Sequence, residues 1–162
     1  MWVVAVLGGA PRDIHKGGFA SSESPDGSLI AFSSTIFNSD IWLMGPDGED
    51  PREVATVDQG RFLGGVVWSP DSRRIAYEVI RSEVEGVRFD IESRDLKGGR
   101  PVVVLSDPKL AYAPGLWWLP DGRIIYSYGE TAGSTETNLW EIKVDTGSGQ
   151  PAGRPRRITS HC

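Results

Sequence analysis

Ser24-Pro25-Asp26-Gly27-Ser28-Leu29-Ile30-Ala31-Phe32 (SPDGSLIAF) decides the reading of this 162-residue chain, because its pattern returns twice. Ser69-Pro70-Asp71-Ser72 leads into Arg73-Arg74-Ile75-Ala76-Tyr77, and Leu119-Pro120-Asp121-Gly122 into Arg123-Ile124-Ile125-Tyr126-Ser127. The steps are 45 residues, from 24 to 69, and 50 residues, from 69 to 119. A second block follows each copy. Asp40-Ile41-Trp42-Leu43-Met44 runs through Pro46-Asp47-Gly48 to Pro51-Arg52-Glu53-Val54. Asp90-Ile91-Glu92 runs through Lys97-Gly98-Gly99 to Pro101-Val102-Val103-Val104. Asn138-Leu139-Trp140-Glu141-Ile142 runs through a longer Gly-rich turn to Pro155-Arg156-Arg157-Ile158. Met1-Trp2-Val3-Val4, Gly8-Gly9 and Pro11-Arg12-Asp13-Ile14 make a fourth copy of this second block.

Each unit reads as four strands. Proline presets φ for a turn, aspartate bonds nearby backbone, and glycine supplies a positive φ. Pro25, Asp26 and Gly27, Pro70 and Asp71, and Pro120, Asp121 and Gly122 are therefore turn residues that join strands one and two as a hairpin. Ile30 and Phe32, Ile75 and Tyr77, and Ile125 mark the apolar second strand. Variable loops are expected over 33–39, 79–89 and 128–137, and the third strand carries Trp42 or Trp140. No long stretch shows the three-and-four apolar spacing of a helix without Gly or Pro interrupting it. A sheet this small cannot bury both its faces alone, whereas sheets stacked around an axis cover one another.

The expected fold is thus all-β, a β-propeller of four-stranded antiparallel blades. Residues 1–18 form the outer hairpin of an incomplete blade, and blades span 19–57, 58–106 and 107–162. About three and a half blades do not close a ring of the usual four to eight, and an open ring leaves long strand edges open to other chains. Further blades from a longer chain or from a second copy are expected. The recurrence of Trp2, Trp42, Trp68, Trp118 and Trp140 assigns them to blade cores with Ile30, Phe32, Ile75, Tyr77 and Ile125. Trp117 reads as core by the same argument, rather than as an aromatic ligand platform.

Composition narrows the function. Hydrophobic residues make up 39%, and 20 Gly and 11 Pro are spread along the chain, as short strands and turns require. The formal net charge of −5 argues against a nucleic-acid partner. The arginines at 154, 156 and 157 read as a solvated strand edge. The lone cysteine, Cys162, gives no disulfide framework, and His15 and His161 lack further ligands at metal spacing. Met1–Ala10 is too short for a membrane span and lacks a preceding basic residue, so it reads as a strand.

The pattern over Ser24–Arg52 closely resembles the WD40-like (PD40) repeat of TolB-type propellers. More narrowly, 66–77 (VVWSPDSRRIAY), 91–105 (IESRDLKGGRPVVVL) and 116–127 resemble the C-terminal propellers of some bacterial serine/threonine kinases. Glu23 and Glu92 where other copies have Trp, and Ser72 where others have Gly, depart from the repeat. The resemblance implies a sensor or scaffold module of a larger bacterial signalling protein that binds a protein or small ligand on one propeller face. Two alternatives come with it: the gating propeller of a prolyl-oligopeptidase-like serine peptidase, and a TolB-like periplasmic scaffold. An extracytoplasmic setting is expected over a cytoplasmic one.

No catalytic machinery is legible. The chain has no Gly-rich phosphate loop, His-Arg-Asp, Asp-Phe-Gly or Gly-x-Ser-x-Gly motif, so the expectation is a non-enzyme without cofactor, catalytic residues or metal. Asp26, Asp71 and Asp121 occupy equivalent turns, which offer no pair of contrasting carboxylates. Asp40, Asp90 and Asn138, which begin the third strands, are expected to cap backbone rather than bind a cation. In this layout the loops joining strands two and three lie on the same propeller face as the links between blades, and loops on rigid scaffolds carry function. The candidate partner surface is therefore Arg81, Glu83, Glu85 and Arg88 in one loop, with Glu130, Thr135 and Glu136 in another.

Overall fold

The recurring Pro-Asp turns close by one scheme. Ser24 Oγ donates to Asp26 Oδ1 at 2.7 Å, while the Ser28 amide reaches the same oxygen at 3.1 Å. Ser69 Oγ and the Arg73 amide meet Asp71 likewise, at 2.6 and 3.2 Å. At the third turn the Arg123 amide donates to Asp121 at 3.2 Å, and Leu119 has no hydroxyl to add. The position after Asp takes a positive φ each time, 70° at Gly27, 57° at Ser72 and 86° at Gly122. These hydrogen bonds lower the Asp26 carboxyl to about 2, with the Ser24 hydroxyl as the largest cause.

A computed structural model describes residues 1–4, 8–36, 38–84, 86–110, 115–132, 134 and 136–160, and among them all regular structure is strand. β1 (Trp2–Val3) and β2 (Arg12–Asp13) form a two-stranded hairpin. β3 (Phe19–Glu23), β4 (Ile30–Ser33), β5 (Asp40–Met44) and β6 (Arg52–Thr56) make an antiparallel sheet in chain order. β7 (Arg61–Trp68), β8 (Arg74–Glu83), β9 (Gly86–Asp95) and β10 (Val102–Ser106) make the second. β11 (Trp117–Trp118), β12 (Arg123–Gly129), β13 (Thr137–Lys143) and β14 (Arg156–Arg157) make the third. These are propeller blades, and the ring is not closed.

The core lies between blades. Alternate residues of a strand point to opposite faces, and β8 uses both. Ile75, Tyr77 and Val79 point toward the preceding blade, packing with Ala31, Ile41, Leu43, Ala55, Leu63 and Trp68. Ala76 points toward the following blade, into a cluster with Ile91, Val104, Trp118, Ile124, Tyr126 and Ile142. Polar ties fix the same seams. Trp68 Nε1 donates to Ser22 Oγ at 2.9 Å, which donates to the Val66 carbonyl at 3.0 Å. The Leu63 amide donates to the Asn38 carbonyl at 2.6 Å. The buried Arg74 reaches the Gly147 carbonyl of the third blade at 3.3 Å. The hairpin β1–β2 leans on the first blade through Arg12–Asp47 at 2.6 Å and His15 against Phe32 at 5.0 Å. Gly48 allows this approach, since a Cβ there would run into the Ile14 carbonyl.

Four expectations change. Trp2 is not core: it is 67% exposed on the hairpin face toward which Trp42 and Trp140 also point in their sheets, and no sheet covers it. Trp117 is 48% exposed on the uncovered face of the third blade. Ile125 lies on that outer face beside Trp117, because the third Pro-Asp hairpin is one residue shorter. Glu23 opposes Ile30 and Trp68 opposes Ile75, but Trp118 opposes Ile124. A one-residue change in register exchanges the faces, so Ile124 and Tyr126 match Ile30 and Phe32. Finally, 79–89 is no loop: β8 and β9 pair without a break from Arg74↔Asp95 to Glu83↔Gly86.

A buried carboxyl sits in the second seam, on the same β8 face as the buried Arg74. Glu78 is 7% exposed on the β8 face toward the third blade, beneath the bulge at Gly65, whose positive φ and position near Leu116 leave the carboxylate close by. Burial raises its carboxyl to about 7. Between the usual value of 4.5 and about 7 the folded chain holds the extra proton, so stability falls as pH rises through that window. Glu78→Gln is expected to leave stability unchanged at pH 5 and to raise it by up to about 3 kcal/mol at pH 8, read from urea unfolding at both values.

Candidate functional site

The loop between β4 and β5 is organised by one buried carboxylate. Asp40 opens β5, where the chain enters the sheet, and accepts from Ser33 Oγ at 2.7 Å, the Ser34 amide at 2.9 Å and Trp42 Nε1 at 3.0 Å. Ser34 Oγ is a fourth donor. Burial opposes ionisation, but the hydroxyl, amide and indole donors outweigh it and hold the carboxyl below its usual range. These side-chain bonds all come from the β4–β5 hairpin itself. This is the capping arrangement.

That loop forms one wall of a cavity of about 290 Å³ at the seam of the first two blades. Phe19, Phe32, Ile36, Ile41, Leu63 and Val66 supply apolar walls, and Asp40, Asn38 and Ser33 the polar lining. Phe19 and Ile36 are exposed at the rim. Apolar walls with a few fixed polar groups suit an inserted side chain or small ligand. Within this lining the Asp40 carboxyl is held below its usual range by its hydroxyl, amide and indole donors.

The residues singled out from sequence divide. Arg81 and Arg88 face each other across β8–β9 and converge on Asp90, which is 1% exposed; Arg81 meets it at 2.7 Å and Arg88 at 3.8 Å. Glu83 stands at the exposed end of this hairpin. Glu130 pairs with Arg157 at 3.0 Å, and the Glu136 amide and carbonyl bond Ser134. Glu85 and Thr135 lie outside the described residues. The arginine-rich tail serves the sheet, as Arg156 and Arg123 both hold Glu141 at 2.5 Å. Thr159 Oγ1 donates to Asn138 at 3.3 Å. Sequence reasoning missed the cavity and the buried role of Arg81; the polar alternation Arg88, Asp90, Glu92, Arg94 was the available signal. Among the described residues no His, Cys, Asp and Glu cluster could hold a metal, and no helix is long and apolar enough to cross a membrane.

No family model matches the chain, and no curated protein matches it in sequence. Solved structures do. An oligogalacturonate lyase in complex with manganese is 20% identical over 98% of this chain, with a TM-score of 0.68. A second oligogalacturonate lyase, from Vibrio parahaemolyticus, is 16% identical over 98%, with a TM-score of 0.65. The β-propeller domain of the Trilobed protease from Pyrococcus furiosus is 20% identical over 89%, with a TM-score of 0.54. The fold is a β-propeller fold. At these identities the likeness extends to architecture alone, and the chain spans 41–44% of the length of these three solved chains.

Asp40→Ala is expected to cost about 2 kcal/mol, since it strands the donors of Ser33, Ser34 and Trp42. Amide exchange should quicken over 34–39 first. In the parent chain Asp40 stabilises above the usual carboxylate range, and that contribution is lost as pH falls through its lowered value; the variant should lack this acid limb in a denaturation series.

Proposed function

We propose that the chain is a segment of a TolB-like, WD40-like propeller that binds a protein partner and performs no chemistry itself. The observation that carries this reading is the 290 Å³ cavity, apolar-walled, rimmed by exposed Phe19 and Ile36, and framed by a loop that Asp40 holds rigid. Preorganised walls lower the ordering cost of binding. The partner contributes one large apolar side chain, with a backbone or hydroxyl donor for the polar lining.

A place as sensor or scaffold in a larger bacterial signalling protein follows from the resemblance over 66–127 and is part of the proposal. Any kinase or peptidase activity would belong to domains outside this chain. Further blades, from a longer chain or a second copy, cover the bare faces that carry Trp2 and Val4 on one side and Trp117 and Ile158 on the other. Exposed apolar sheet faces of this kind favour association. The chain alone is therefore expected to self-associate at tens of micromolar in sedimentation, and Trp117→Arg with Ile158→Glu to reduce it.

The binding claim is tested with a displayed peptide library. Expected are binders with a central Phe, Leu or Trp that lose at least tenfold against Ile36→Asp and against Phe19→Asp while melting temperature holds. Binders indifferent to both substitutions would move the interaction elsewhere.

A further inference from the structure

The seam of the first two blades opens a second time, past Leu63 on the side of the outer strand β6. This cleft of about 180 Å³ is lined by Thr56, Arg61, Tyr77, Arg81, Glu92 and Arg94 among others. The pairing Tyr77↔Glu92, Ile75↔Arg94 and Arg81↔Arg88 puts these polar groups on the β8–β9 face toward the first blade. Four arginines, counting Arg88 behind Arg81, therefore meet two carboxylates, Asp90 and Glu92. Asp90 answers Arg81 and Arg88. Glu92 accepts from the Tyr77 hydroxyl at 3.3 Å. Arg94 hydrogen-bonds the Tyr77 side chain; neither it nor Arg61 forms an ion pair among the described residues, and the Nε atoms of Arg81, Arg88 and Arg94 are shut from solvent with no acceptor at hydrogen-bond distance.

We infer that this cleft is a binding site for a small dianion, carrying phosphate or paired carboxylates. A buried charged donor without an acceptor is costly, and the guanidinium fork matches an oxyanion in shape and charge. The charge excess of two arginines over the carboxylates equals that of a dianion. The volume holds roughly six waters, enough for phosphate or malonate and too little for an oligomer. The chain as a whole is negative, at −5, so general polyanion attraction does not draw such a ligand here; the local arginines do. This site is separate from the apolar cavity and stands without the peptide-binding reading.

Calorimetric titrations with inorganic phosphate and with malonate, at fixed low ionic strength, test it. Saturable binding of either, weakened at least tenfold by Arg61→Gln with Arg94→Gln, is expected. Glu92→Gln removes the competing carboxylate and should tighten binding severalfold, a gain that misfolding cannot imitate. Phosphate alone would identify a phosphoryl site, and malonate alone or both a general dianion site. Heats no greater than those of acetate, or affinities indifferent to all three substitutions, would overturn the inference. The arginine variants should bind cavity peptides like the parent, which separates the two readings.

Discussion

Everything in this chain depends on the two-sidedness of its sheets. A four-stranded antiparallel sheet satisfies the backbone groups of its inner strands, yet β8 sends Ile75, Tyr77 and Val79 to one side and Ala76 to the other. Burying one such side chain is worth about 1.5–3 kcal/mol, so a lone blade forfeits most of its stabilisation. Only a neighbour on each side recovers it. The middle blade has both neighbours, and it carries the longest strands and the best-buried second strand. Burial at a given repeat position then follows the neighbour rather than the residue: Trp42 and Trp140 face a preceding sheet and are half-buried, while Trp2 at the matching position faces none and is exposed.

The seam between the first two blades holds both openings described above, for the same reason. Side chains near the middle of the seam are apolar and interlock. Away from that middle the seam is lined by the loop of the first blade on one side of Leu63 and by arginines on the other. Leu63 separates the two, fixed by its amide bond to the Asn38 carbonyl. One opening is apolar with a capped carboxylate, the other cationic.

The turns, the strand order and the radial stacking were legible because each rests on local chemistry repeated three times. A Pro-Asp pair presets its turn whatever surrounds it, and period-two apolar runs state their own geometry. What escaped reading depends on register. Ile125 changed sides because Trp118 meets a partner six residues on, where Glu23 and Trp68 meet theirs seven on. Leu119, which lacks the hydroxyl of Ser24 and Ser69, marks the altered turn in sequence. The charged stretch around Glu83 reads as loop because its composition is polar. Its alternation instead serves a strand pair whose one face is apolar toward the third blade and whose other carries arginine and acid toward the first.

Asp40, Asp90 and Asn138 hold one topological position and solve one problem in three ways. Each is a buried polar group at the head of a third strand and must find partners. In the first blade the strands end early, and a short loop rich in hydroxyls folds back onto Asp40. In the second the strands continue to Glu83 and Gly86, so no loop can fold back, and long cross-strand arginines do the work. In the third a neutral amide accepts from the Thr159 hydroxyl. Hydroxyls and amides settle a carboxylate without adding charge, whereas arginines bring more than one carboxylate can neutralise. Strand length at this position thus decides where the fold carries unspent positive charge, and places it at the outer opening of the first seam.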